Sequence, residues 1–512
     1  MSGSSLHAEN DSVGPGMSFR AAAKPHVALC QSELRHSGLR DAGLRQAGLR
    51  DAGLRQSGLR QARVRIRRHS LLLAIVWLGA CLMLASGGER CVHAEDWPGF
   101  RGPGGLAASR ETGLPQTWSS RENLVWRVAL PGAGSSSPIV VGDRVFVTSY
   151  SGYGVPEGTA GTAAGPATSD IARLERQLTC FELSTGKQLW TRSVKAQGPE
   201  DAYQGFITEH GYASGTPVAD GERVYAFFGK AGVHAFDWDG KPLWSADVGK
   251  ESSNRRWGTG ASLVLHQETL IVNASEESQS IRGFDRRSGK EIWKASAAAL
   301  ELAYGTPTLT SVAGQTEVAI AVPGEVWGLN PETGKLKWFA EHGLTGNISP
   351  SVVADGETLY IFGGFRAAGS LSVRAGGNGD VTRSHLGWTG RNSSYVATPV
   401  LVDGHLYWID DRGQAYCVAA KTGELVYRER VEGLTASGRP VYASPIAADG
   451  RLYIPSRWNG VLVLAAKPSY QLLARNQFDG DESDFNGSVA ISGGRILLRS
   501  DRYLYCVGQT AK

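Results

Sequence analysis

The residues that could do chemistry stand in short polar and aromatic stretches: Glu209-His210, Arg256-Trp257, Glu276, Arg391, Asp410 and Arg412, Arg457-Trp458-Asn459, and Asp484 with Asn486. Glu209 and His210 offer a general acid and a base, or metal ligands together with Glu276 and Asp410. Adjacent residues on a strand point to opposite sides, so both reach one substrate only from an irregular loop. A histidine satisfied by structural hydrogen bonds is the expected state. Arg beside Trp, at Arg256-Trp257 and Arg457-Trp458, suits a planar or anionic group through a guanidinium fork and a stacking surface. The competing use of these charges is to pair with one another across a central channel and seal it. No catalytic residue and no metal site is assigned. The chain has no haem-attachment, zinc, nucleophile-elbow, His-Glu-x-x-His or P-loop spacing. Pro131-Gly132-Ala133-Gly134-Ser135 precedes no helical pattern, which rules out a phosphate cradle.

These stretches are loops because a strand-turn-strand unit recurs around them. Leu329 to Trp338 reads LNPETGKLKW, and Phe181 to Trp190 (FELSTGKQLW), Phe236 to Trp244 (FDWDGKPLW), Phe284 to Trp293 (FDRRSGKEIW) and Val418 to Tyr427 (VAAKTGELVY) are its copies. A short polar residue followed by Gly suits a hairpin turn. The closing Trp126, Trp190, Trp244, Trp293, Trp338 and Tyr427 suit docking between neighbouring units, with each indole N–H finding a partner. Ser137-Pro138, Thr216-Pro217, Thr306-Pro307, Ser349-Pro350, Thr398-Pro399 and Ser444-Pro445 each open an apolar run, and 261–273 and 486–499 are degenerate copies. The pattern predicts an all-β, eight-bladed β-propeller of four-stranded antiparallel blades over 123–508, with an insertion at 149–177 expected to be a mobile flap or a disordered loop. The last unit lacks one strand, and Asn123 to Val128 supplies it, so the ring closes through the start of the mature chain.

Residues 1–70 read as a disordered basic extension or an early-called start: His36 to Arg65 is a tandem pentad with Gly in every full copy, too little to bury. Residues 71–94 read as a signal peptide, an apolar core at Leu71 to Leu84 behind arginines and a cleavage point at Ala94. Export is therefore expected, with a retained membrane anchor or lipidation at Cys81 as minor alternatives. The first 70 residues hold 12 basic and 5 acidic side chains against +4 overall, so the mature part carries about −3, which excludes a nucleic-acid binder. Cys180, Cys417 and Cys506 remain in apolar strands and read as packing residues. No transmembrane domain is expected in the mature chain, and a monomer is.

The Thr-Gly-Lys-x-x-Trp copies resemble the repeats of PQQ-like β-propellers, a fold shared by quinoprotein alcohol dehydrogenases and the outer-membrane barrel-assembly lipoprotein. The lead-in 95–122, with Asp96-Trp97-Pro98-Gly99-Phe100-Arg101-Gly102-Pro103 followed by Glu111 to Pro115 and Trp118, is similar to that of exported planctomycete-type PQQ-like repeat proteins. The enzyme branch typically carries a vicinal Cys-Cys disulfide, a Ca²⁺ ligand set and an Asp base, and this chain has no Cys-Cys dipeptide. The resemblance therefore implies the fold without the cofactor. The function expected is a non-catalytic binding or scaffold propeller recognising a protein, peptide or glycan on its loop-rich face. The alternative is a PQQ-dependent oxidoreductase of an alcohol or sugar, using PQQ with Ca²⁺.

Overall fold

The computed structural model describes residues 95–155, 170–435 and 438–509. The pentad tract, the expected signal peptide and the middle of the insertion lie outside the described residues. Eight sheets follow one another along the chain. Blade 1 runs Ile139–Val141, Arg144–Ser151, Glu175–Glu182 and Gln188–Lys195 from axis to rim. The inner strands of blades 2 to 8 are Val218–Ala219, Val264–His266, Thr308–Val312, Val353–Asp355, Val400–Val402, Ile446–Ala448 and Ala490–Ser492. The rim strand of blade 8 is Leu124–Ala129, antiparallel to Tyr503–Gly508 with Trp126 opposite Cys506. The ring thus closes through the first strand of the propeller, and no sheet edge is left open there. No helix among the described residues is long and apolar enough to cross a membrane.

Blades are held together at two radii. At the rim, the closing Trp of one blade lies on the turn glycine of the next and donates its indole N–H to a carbonyl in that turn. Trp126 donates to Leu183, Trp190 to Trp238, Trp244 to Arg286, and Trp293 to Pro331. The glycines beneath them, Gly186, Gly240, Gly289 and Gly334, have positive φ and no room for a Cβ against the ring. The motif therefore needs its glycine twice over, for the turn and for the indole. Blade 5 closes with Trp388, which the repeat spacing did not reveal; it donates to Ala420 and covers Gly423. Trp338 departs from this use. It is fully buried and donates to Glu317 of its own blade, and its strand is flanked by Gly379–Asp380, a fifth, parallel strand added to blade 4. Tyr427, without an indole, meets the Tyr470 ring of blade 7 at 5.9 Å.

At the axis, one serine or threonine per blade forms a closed ring of hydrogen bonds. The backbone N–H of each donates to the hydroxyl oxygen of the next, through Ser137, Thr216, Ser262, Thr306, Ser351, Thr398, Ser444, Ser488 and back to Ser137, at 2.9–3.1 Å. In blade 5 the ring residue is Ser351, two positions after the Ser349 that the Ser-Pro pattern singles out.

The lead-in crosses the face opposite the loops that enter the inner strands. Trp97 exchanges two backbone hydrogen bonds with Val140, Pro98 accepts from Ala219, and Ala107 from Ala447. Arg101 is buried and donates to the carbonyls of Thr398 and Pro399 at 3.0 and 2.8 Å. Trp118 stacks on Tyr453. Blade 1's long hairpin stays paired to Ser151 opposite Glu175, so the insertion is strand at both its ends. Cys180, Cys417 and Cys506 are buried free thiols, and burial pushes them up to about 12, 11 and 11, which leaves them protonated and unreactive.

Two substitutions test the two radii by urea unfolding, with Gly314→Ala as their control. Gly334→Ala places a Cβ in the Trp293 ring at φ 67° and should cost about 2–4 kcal/mol. Gly314→Ala, at φ 79° with nothing within 4 Å, should cost only about 1–2 kcal/mol. Thr306→Val keeps the shape but strands the Ser262 N–H, and should cost about 1–3 kcal/mol.

Candidate functional site

The axial ring forms the floor of a cavity of about 180 Å³ that opens on the loop-rich face. Two residues before each ring position the chain reaches the same lumen again, because side chains two apart share a face. These second positions are Ser135, Ser214, Gly260, Tyr304, Ser349, Val396, Tyr442 and Asn486, and all line the cavity with the eight ring residues. Phe100 of the lead-in closes the base.

Above these two layers stands an aromatic collar. Phe206 lies 4.4 Å from Trp257 and 6.1 Å from Tyr395, Trp257 stacks on Tyr304 at 5.9 Å, and half-exposed Phe365 extends the series beyond Tyr395. Arg439 rests over Phe206 and Tyr395, 4.9 and 5.0 Å from the ring centres, and pairs with Asp411.

The structure brings seven of the candidate residues together at this mouth, Trp257 of the collar among them. Arg457 pairs with Glu209, from the other side of the sequence, and with Asp484. Its guanidinium lies over Tyr442 and Trp458, and Trp458 donates its indole N–H to Asp484. Asn486 donates to the Glu209 carbonyl. His210 ends a single helical turn, Ile207–His210. A neutral imidazole satisfies both its contacts: Nε2–H donates to the Trp257 carbonyl at 2.8 Å and Nδ1 accepts from the Ser214 hydroxyl at 2.6 Å. Burial holds it below its ordinary pKa. This histidine positions two loops, and Glu209 is an ion-pair partner.

The remaining candidates lie apart. Asp410 accepts from the N–H groups of Arg412 and Gln414 in its own turn, and Asn459 accepts from Thr435. Arg256, Arg391 and Arg412 are exposed, and it is Arg255 that sits over Trp257. Glu276 and its neighbour Glu277 line a separate small polar cavity with Lys230 and Arg176. Glu276 accepts from the Ser253 hydroxyl and Glu277 from that of Thr259, while the second oxygen of each is buried without a partner. Burial, reinforced by the Glu276 charge, raises the Glu277 carboxyl to about 7.

Sequence reasoning missed the collar residues Phe206 and Tyr395 and the lumen tyrosines Tyr304 and Tyr442. One signal was available: Tyr304 and Tyr442 each stand two residues before a Thr-Pro or Ser-Pro, where the alternation aims them at the axis.

The residues present do not fit PQQ with Ca²⁺. A planar polycarboxylate needs cations in the lining, and none of the described lining residues is Lys or Arg. Arg457 at the mouth is already held by two carboxylates. Among the described residues, no group of three or more His, Cys, Asp or Glu side chains is placed to hold a metal ion.

A family model described as outer membrane protein assembly factor BamB matches residues 174–428. The BamB of Xanthomonas campestris pv. campestris is 26% identical over 205 residues, 40% of this chain and 45% of that protein. The Escherichia coli K12 protein of the same name is 23% identical over 317 residues, 53% of this chain and 75% of that one. This chain thus spans less than half the length of the Xanthomonas relative. The crystal structure of BamB from Moraxella catarrhalis shares the fold, with a TM-score of 0.51 at 14% identity over 76% of this chain and 98% of that one.

Glu277 gives a pH test. Its folded carboxyl holds a proton up to about 7, whereas an unfolded glutamate releases it near 4.3. Stability contributed by this group is therefore present below that lower value and is lost as pH rises through the folded pKa. Glu277→Gln should raise stability at pH 8 by on the order of 3 kcal/mol, leave it unchanged at pH 4, and flatten the slope between. Urea unfolding across that range measures it.

Proposed function

Since the chain belongs to the PQQ-like β-propeller repeat family, we propose that it is an exported, non-catalytic binding propeller that takes a protein, peptide or glycan at the collar of its loop-rich face. One observation carries the reading. The titratable side chains that would have to react are consumed in holding the mouth together, Glu209 and Asp484 by Arg457 and His210 by Ser214 and Trp257, while a wall of aromatic rings lines the way into the axial cavity. Aromatic anchors around a concave site are what recognition needs, since they bury large areas at little entropic cost. The relatives, named as outer membrane protein assembly factors, support a scaffold over a reaction and fit export.

The test compares the chain with Trp257→Ala and Tyr395→Ala, which remove the collar while sparing the ring. Material captured from the exported fraction by the native chain should be lost, about tenfold or more, with either variant. Equal capture by all three places binding elsewhere. Retention of added PQQ with Ca²⁺ through gel filtration, together with alcohol- or sugar-dependent dye reduction, replaces the binding reading with the oxidoreductase one.

A further inference from the structure

We propose that the axial cavity takes the terminal residue of a neutral glycan, ring first and end-on; this rests on the reading of the loop-rich face as a binding face. The argument starts from the polar groups that the protein leaves uncommitted in the lumen. Each axial hydroxyl uses one lone pair to accept its neighbour's N–H, and none of the eight donates its own proton to a protein group. One layer above, Asn486 Oδ1 is buried with no partner, while Tyr304 Oη lies against Ser253 and Glu276. The free complement is thus a set of donors with at least one acceptor, all of it uncharged.

That set selects a ligand class. An apolar ligand would dry the hydroxyls without replacing their water, leaving each unsatisfied. A carboxylate, phosphate or peptide terminus would lose its hydration, and the described lining residues hold no free charge to compensate it. At the mouth Arg457 is shared by Glu209 and Asp484, and Arg439 pairs with Asp411, so neither cation is free for an anion. A sugar matches on both counts. Its hydroxyls are each donor and acceptor, so they take over the positions of lumen water. Its C–H faces pack on rings such as the stacked Trp257 and Tyr304. The cavity, about 180 Å³, is far larger than the roughly 10–15 Å³ that one water requires. Phe100 closes its base, so a polymer enters by its end and does not thread through.

The full chain is titrated with maltotriose, cellotriose and N,N′-diacetylchitobiose, followed by tryptophan fluorescence and calorimetry. At least one should saturate in the millimolar range or below. Trp257→Ala should weaken it about tenfold or more, and Asn486→Ala, which removes the orphaned Oδ1, several-fold, with circular dichroism unchanged. Saturable binding untouched by both variants overturns the proposal, and so does the absence of binding by all three sugars. Preference for a glucuronate-ended sugar or a peptide terminus, abolished by Trp257→Ala, overturns the glycan inference and leaves the binding face intact. PQQ loading with turnover overturns both.

Discussion

The molecule depends on one closed circuit: eight backbone N–H groups, each satisfied by the hydroxyl of the next blade, with the eighth returning to the first. Inner strands are short, two to five residues, so neighbouring blades have little backbone in common near the axis. A buried N–H must find an acceptor. Serine and threonine provide one without demanding a charge, and the circuit fixes the blade-to-blade spacing at the narrow end. The indoles fix it at the wide end, where the same geometry leaves a larger gap. Between the two radii lie the apolar faces of adjacent sheets. A repeat that failed at either radius would break the circle.

The circuit also separates what the fold requires from what it leaves free. At the ring position every blade supplies the same chemistry. Two residues earlier, with side chains on the same face, the chain supplies Ser, Ser, Gly, Tyr, Ser, Val, Tyr and Asn. Closure makes no demand on those positions. They are therefore where a propeller of this kind can vary its lumen without loosening its blades, and the asymmetry they introduce turns a pseudo-eightfold tube into a site with sides. Tyr304 and Tyr442 face it from blades 4 and 7, and the collar above is built by loops that join neighbouring blades.

Blade count, hairpin turns and the borrowed rim strand were legible because each is written locally and repeated, in Thr-Gly-Lys-x-x-Trp and in Ser/Thr-Pro. Trp388 escaped because residues 375–385 swing out to lay a strand on blade 4, which breaks the spacing that marks the motif. Ser351 escaped because Ser349 wears the Ser-Pro signature two residues early. The charged candidates were visible one by one, but their partners were not: Glu209 and Arg457 meet across 248 positions, and only the closed ring puts them side by side. Likewise Arg256 reads as the stacking partner of Trp257, until a positive φ at Arg256 turns it outward and Arg255 takes the place.

The base of the channel shows how closure and function are joined in one segment. Arg101 is buried without a carboxylate; burial lowers its pKa to about 9, and its guanidinium is satisfied by the carbonyls of Thr398, Pro399 and Gly105. Burying an unpaired cation is costly, so this contact persists only because backbone carbonyls of blade 6 and the lead-in converge on it. The same lead-in places Phe100 under the lumen and, some twenty residues on, becomes the rim strand of blade 8. Until that stretch is in place the last blade has an open edge and the channel an open floor. The one segment thus supplies both the rim strand of blade 8 and a residue at the base of the axial cavity. The collar, the hydroxyl floor and the paired charges then share one entrance, which is why residues scattered over blades 1 to 8 in the sequence are presented at a single opening.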